Sequence, residues 1–122
     1  MNSNLYYIER SRMADITKED WKLFRERIGG WQEAHMEKLI KEYLDLLSGD
    51  EPASKKFWAL EERINSDKRT PGVQLILKKS KIDWDLARLM HDGVITAADL
   101  EGFSEEIKNY VLERAEFFFN EE

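Results

Sequence analysis

Apolar residues recur along the first half of the chain at the spacing of a single helix face. From Trp21 to Leu47 the steps between apolar positions are three or four residues, the period of an amphipathic helix. The pattern predicts a long first helix over about residues 18–47, with Thr17 as N-cap and Asp20 as its capping-box partner. Such a helix would be about 45 Å long, longer than a compact domain of this size. Its apolar stripe therefore needs cover from other helices or from a second copy.

Gly29 and Gly30 interrupt this predicted helix with two poor helix formers. The apolar period keeps the same phase on both sides of the pair, which favours one continuous helix. Two interior glycines cost about 1 kcal/mol each relative to alanine. We therefore expect compensation from the close approach of a second helix or from a gentle bend. The alternative is a kink or a break into two helices.

The rest of the chain predicts shorter helices. Pro52 suits the first turn of a second helix, whose apolar face would hold Phe57, Leu60 or Glu61, and Ile64. Capping and turn residues predict the starts of three or four more: Thr70 with Pro71, Ser80, Thr96 with Asp99, and Ser104. The alternation after Pro71 would also suit a strand, but a lone strand has no partner.

These elements predict an all-α fold in which the long helix packs against a second helix and three or four shorter ones. We expect a single helical domain over residues 13–122. Residues 1–12 are expected to form a flexible extension. They are either an addition upstream of a start at Met13 or a native mobile arm.

Composition narrows the classes of function. The chain has no cysteine, which excludes disulfides, thiolate metal sites and a cysteine nucleophile, and a cytoplasmic location fits. No segment approaches the length of a membrane span. The net charge is −6, and residues 99–122 hold eight acids against two bases, while residues 1–98 balance. Direct contact with nucleic acid is not expected, because no basic face is present.

No motif assigns chemistry to the chain. The stretch from Asp92 to Asp99 matches the second half of a calcium-binding loop, but Arg88 and Met90 stand where its first ligands should be. His91 has no metal-ligand partner at helical spacing, and neither has His35. We predict no catalytic residue, no metal and no cofactor. An enzyme with a dispersed site stays open, because one sequence does not reveal distant residues that meet in the fold.

The aromatic content of the chain points to partner binding instead. Three consecutive phenylalanines near the C-terminus spread over about 200° of a helix, so one intramolecular contact cannot cover all of them. Aromatic residues are enriched at interface hot spots. The predicted partner-binding residues are Trp21, Phe24, Ile28, Trp31, His35, Phe117, Phe118 and Phe119, together with the acidic residues Glu106, Glu113 and Glu116.

The stretches "KFWALEERI", "PGVQLILKKS" and "DGVITAADLEGFSEE", with the long helix before them, resemble a family of small uncharacterised all-helical proteins of Gram-positive gut bacteria, associated with mobile elements. The resemblance covers residues 13 to about 112. Some members carry a multidrug-transporter label, which does not fit a chain without a membrane span. The resemblance implies a bacterial cytoplasmic setting and no activity or cofactor.

The leading hypothesis is a non-enzymatic protein–protein interaction protein that forms a homodimer or binds another protein. The alternative is an acidic inhibitor of a nucleic-acid enzyme, an anti-defence or mobile-element accessory protein whose C-terminal acids mimic phosphate charge. A single flat face of acids would favour the inhibitor. Acids scattered around the helices would favour a plain solubility role.

Overall fold

A computed structural model describes residues 15–121, and the side chains of residues 15–115. Every regular element in that range is helical. The α-helices are α1 (Lys18–Ser48), α2 (Ala53–Asp67), α3 (Ile82–His91) and α4 (Glu105–Glu121), with short 3₁₀ turns at Lys79–Lys81 and Ala97–Leu100. The all-α fold class is confirmed. The long first helix is also confirmed, and it ends one residue beyond the predicted bound.

Helix α1 runs through Gly29 and Gly30 without interruption, so the predicted continuity is confirmed and the break is not observed. A methyl group added at either glycine would meet nothing within 4 Å. The expected close approach of a second helix within this chain is therefore wrong. The gentle bend stays a prediction, and packing elsewhere along the 31-residue helix also offsets the free energy lost at the glycines.

The chain divides into two compact units. Among the described residues, the core unit consists of residues 15–26 and 77–121. The hairpin unit is Arg27–Ile76, and α1 contributes to both. Whether residues 13–122 form a single domain stays a prediction, and residues 1–12 lie outside the described range.

The core unit holds most of the buried apolar side chains. Helix α3 packs against α4. Buried side chains from α1, α3, α4 and the turn between α3 and α4 fill the space around this contact: Phe24, Ile82, Leu86, Ala87, Leu89, Ile95, Leu100, Phe103, Ile107, Val111 and Ala115. Gly93, with φ of 77°, allows the chain to leave α3 in the left-handed region.

Side-chain caps fix where the helices of the core unit begin. Asp20 N donates to Thr17 Oγ1 at 2.9 Å, and Thr17 N donates to the Asp20 carboxylate, as the capping-box prediction requires. Thr96 and Asp99 form a second capping box at the 3₁₀ turn. Ile107 N donates to Ser104 Oγ at the start of α4. The predicted caps at Thr17, Thr96 and Ser104 are confirmed, whereas the cap predicted at Ser80 is wrong, because Lys81 is the N-cap of α3.

In the hairpin unit the C-terminal part of α1 and α2 run antiparallel. The Tyr43 hydroxyl donates to Asp67 Oδ2 at 2.5 Å, and the Gln32 amide donates to the Pro71 carbonyl at 2.9 Å. From Tyr43 back to Gln32 on α1, the hydrogen-bond partner moves forward from Asp67 to Pro71. This opposite direction shows that the two segments are antiparallel. The packing is thin, because no residue of α2 is buried.

The predicted short helix after Thr70 is wrong. The amides of Val73 and Gln74 both donate to the Thr70 carbonyl at 3.1 Å, which closes a single turn. Residues 74–78 then have no regular structure. A helix this short gains too few backbone bonds to offset the cost of nucleation, and the Thr70 hydroxyl, predicted as its cap, donates instead to the Asp67 carbonyl at 2.6 Å.

Candidate functional site

The hairpin unit exposes a cluster of large apolar side chains. Ile40 is 53% exposed, Leu44 58% and Phe57 64%, and Leu47 and Ile64 are also exposed. Single exposed apolar residues are normal on a protein surface, whereas a contiguous patch marks a contact site. We call these five residues the apolar face: Ile40, Leu44, Leu47, Phe57 and Ile64.

The register of α1 puts its part of the apolar face beside its contact with α2. Tyr43 bonds to α2, and Leu46 faces a groove whose other residues belong to α2 and the segments at its two ends. Leu44 and Leu47 each directly follow one of these residues. One residue is a rotation of about 100° around the helix axis. The exposed stripe of α1 therefore lies about a quarter turn from the contact between the helices.

Helix α2 repeats this arrangement. Arg63 bonds to Glu42 of α1 at 2.7 Å, and exposed Ile64 directly follows it. Phe57 likewise follows the half-buried Lys56. Because the helices are antiparallel, the same rotation away from the contact carries both stripes to the same side of the hairpin. The apolar face is thus one surface built from two helices.

Phe57 and Trp58 widen the exposed aromatic surface of α2. Their rings meet edge to face, with centroids 4.9 Å apart and planes at 83°. Trp58 also lines an open groove of about 860 Å³ on α2. Charged side chains of both signs share that groove: Lys55, Lys56 and Arg69 with Glu51, Glu61 and Glu62. This mixed lining points to no particular ligand charge.

A polar cluster ties the two helices together beside the apolar face. The Tyr43 hydroxyl donates to Asp67, and the Arg63 guanidinium lies 3.5 Å from Asp67 and over the Tyr43 ring at 5.3 Å. Burial, together with the hydrogen bond and charge of Asp67, raises the pKa of Tyr43 to about 12. The cluster holds the spacing of the helices, and hence of the two stripes.

Three further features of the described residues concern metal binding, a buried acid and membrane spans. No group of three or more histidine or acidic side chains in that range is placed to hold a metal ion. Burial raises the pKa of Asp85, but this carboxyl does not line the groove on α2. No helix of the described part is long and apolar enough to cross a bilayer.

The predicted partner-binding residues of α1 have mixed surroundings. Phe24 and Ile28 are buried within the chain itself and do not form an exposed surface. Trp21, Trp31 and His35 are half-buried. The Arg25 guanidinium lies over the Trp21 ring at 5.0 Å. The stripe that was predicted to need cover is thus partly covered by this chain.

The predicted C-terminal contacts are only partly visible. Phe117, Phe118, Phe119 and Glu116 lie outside the described side chains. Glu106 and Glu113 are exposed. They lie two turns apart on α4 and so share a face. The Glu106 carboxylate accepts a hydrogen bond from Asp15 N at 2.6 Å, so it already has a partner within the chain.

Sequence reasoning missed the apolar face, although its signal is present. Met36, Ile40, Leu44 and Leu47 also recur at helical spacing, next to the stripe that was selected. Phe57 and Ile64 were placed on the apolar face of the second helix without a prediction of what covers that face, and the structure leaves both exposed. A helix with two adjacent apolar stripes does not reveal which one its own chain covers.

Comparisons with known proteins add no assignment. No family model, no curated protein and no solved structure matches this chain. The resemblance to small helical proteins of Gram-positive bacteria therefore stays a prediction.

Proposed function

We propose that this chain is a non-enzymatic protein–protein interaction protein that binds through the apolar face. The observation that carries the proposal is the exposure of Ile40, Leu44 and Phe57 on one side of a helical hairpin. Burying a large apolar side chain stabilises an assembly by about 1.5–3 kcal/mol relative to leaving it in water. A surface of this kind gains most from a protein partner with a matching apolar surface.

The thin packing of the hairpin unit supports the same proposal. Among its apolar side chains only Ile28, Leu39 and Pro71 are buried, and Pro71 lies in the turn after α2. An antiparallel helix pair with one apolar face uncovered resembles one layer of a helical bundle, whose second layer is missing. A partner laid on the face would supply that layer.

The test compares a face variant with a matched control. The variant Ile40→Asp/Phe57→Glu places two charges on the apolar face. The control Ile76→Asp changes an isoleucine that is 80% exposed and lies outside the face. Tagged full-length chain is presented both to untagged chain and to lysate of the source cells, and the bound protein is quantified.

The proposal predicts at least one stoichiometric partner, either the chain itself or another protein. The wild type and Ile76→Asp retain that partner, and the face variant loses it at unchanged helical content by circular dichroism. The proposal is wrong if no protein is retained, or if the face variant retains its partner as well as the wild type does.

The acidic inhibitor is a second candidate, favoured by the charge of the C-terminal part. Residues 77–122 hold eleven acids against six bases, a net charge of −5. Glu101, Glu105, Glu106 and Glu113 are exposed, although Lys108 lies 3.5 Å from Glu105. Charge reversal of Glu106 and Glu113 to Lys would abolish inhibition of a nuclease or polymerase by charge mimicry. Inhibition that survives the reversal contradicts this candidate.

A bacterial cytoplasmic setting and an association with mobile elements complete the proposal. The support is the resemblance described from the sequence, and neither point enters the argument for binding. An enzyme with a dispersed site is the third candidate. The observation that favours this candidate is the buried carboxyl of Asp85.

A further inference from the structure

The spacing of the apolar positions in the hairpin unit fits helix packing beyond the hairpin itself. On α1, residues 36, 40, 43 and 47 advance by four, three and four. On α2, residues 53, 57, 60 and 64 advance by the same steps. All eight are apolar or aromatic: Met36, Ile40, Tyr43, Leu47, Ala53, Phe57, Leu60 and Ile64. Alternating steps of three and four are the pattern of helices that pack side by side in four-helix bundles.

The size of the apolar face suits a helical layer of equal size. Its five side chains expose on the order of 500 Å² of apolar surface, near the upper end of the largest patch on ordinary monomers. Two such faces would remove about 1,000 Å² from water through these side chains alone, which is about the lower limit for a biological interface before neighbouring residues are included. The face needs no larger partner than another copy of itself.

Charge also permits two copies to meet at this surface. The hairpin unit holds eight basic and nine acidic residues, a net charge of −1, whereas residues 77–122 carry −5. Contact between two hairpin units therefore involves less electrostatic repulsion than contact between two copies of residues 77–122. The five side chains of the face carry no charge, as is usual at the centre of an interface.

We propose that the apolar face binds the apolar face of a second copy of this chain, so that the two hairpin units form a four-helix bundle. The inference rests on the proposed function and names its partner. A twofold axis relates the copies, because the same patch serves on both sides. Met36, Tyr43 and Leu60, half-buried in the single chain, then lie inside the bundle with the five exposed residues.

Sedimentation equilibrium of the full chain over micromolar to millimolar concentrations tests the proposal. The wild type should approach twice its chain mass of 14.5 kDa as concentration rises. Ile40→Asp and Phe57→Glu, each alone, should raise the dimer dissociation constant at least 100-fold, while Ile76→Asp leaves it within threefold. Circular dichroism confirms that each variant keeps its helices.

A fourth variant, Leu112→Asp, separates this interface from one on α4. Leu112 is exposed on the helix that carries the C-terminal phenylalanines. Dimers that survive Ile40→Asp and dissociate with Leu112→Asp would overturn the four-helix bundle.

A chain that stays monomeric at millimolar concentration also overturns the homodimer. The proposed function then survives if a different protein binds the wild type and is lost with Ile40→Asp/Phe57→Glu. It fails as well if neither partner is found. The two failures are therefore distinguishable.

Discussion

The carboxylate of Asp20 joins two helices whose first residues are far apart in sequence. Oδ1 accepts a hydrogen bond from the backbone N–H of Ser104 at 2.9 Å, and Oδ2 accepts one from the Ser104 hydroxyl at 2.8 Å. The same carboxylate accepts from Thr17 N within the capping box of α1. Only 1% of Asp20 is exposed, so one buried acid organises the starts of both α1 and α4.

Asp20→Ala should lower the free energy of unfolding by about 2–3 kcal/mol, because it removes the capping-box partner of Thr17 and leaves two half-buried donors of Ser104 without this acceptor. Glu19→Ala, an exposed acid next to it, should change the stability by less than about 0.5 kcal/mol. Urea unfolding measures both. Equal effects of the two substitutions would show that the Asp20–Ser104 contact contributes nothing.

Tyr43→Phe should lower the free energy of unfolding by about 1 kcal/mol at neutral pH, because the hydrogen bond to Asp67 is lost. The folded pKa of Tyr43, about 12, is above the ordinary 10.0. The stabilisation is therefore fully present below the unfolded pKa and is lost as pH rises through the folded pKa. The tyrosinate absorbance that the wild type has in excess of the variant should appear with a midpoint near pH 12. A midpoint near 10 would contradict the contact.

Asp85→Asn should raise the free energy of unfolding relative to the wild type more at neutral pH than in acid. Burial raises the pKa of Asp85, with Arg88 and Lys81 opposing the rise and Asp83 adding to it. The folded chain thus holds this proton more tightly than the unfolded chain, so the wild type loses stability as pH rises from the unfolded pKa through the folded one. Urea unfolding of both proteins from about pH 3 to 7 checks this. The free energy of unfolding of the variant should increase relative to that of the wild type as pH rises. A difference between the two proteins that does not change with pH contradicts the prediction.

Gly30→Ala should raise the free energy of unfolding by about 0.5–1 kcal/mol, because the site is inside a helix and an added methyl group meets nothing. Gly93→Ala, at φ of +77°, should lower it by about 1 kcal/mol. Thermal or urea unfolding compares the two variants. A loss of stability with Gly30→Ala would show that the helix is bent or crowded at this point.

Local signals in the sequence predicted much of the fold. The constant phase of apolar residues across Gly29 and Gly30 indicated one helix, and the structure confirms it. Thr17, Thr96 and Ser104 begin their elements as expected, because capping depends on residues only three apart. Ser80 does not cap α3, which follows a 3₁₀ turn and has Lys81 at its N-cap.

The sequence pattern did not predict contacts between residues that are far apart in the chain. Nothing in the capping box of Asp20 indicates that the same carboxylate also reaches Ser104. The candidate site was missed for a related reason. Leu39 and Ile40 are neighbours on adjacent stripes of α1, and only tertiary packing decides that the first is buried and the second exposed.

The most direct test of the apolar face is the solvent accessibility of three isoleucine methyl groups by NMR. Relaxation enhancement from a soluble nitroxide is measured for Ile40, Ile64 and Ile76 in the full chain from micromolar to millimolar concentration. The account predicts that Ile40 and Ile64 become protected as the chain associates, while Ile76 stays accessible. Equal accessibility of all three methyl groups at millimolar concentration would contradict association of the chain through the apolar face.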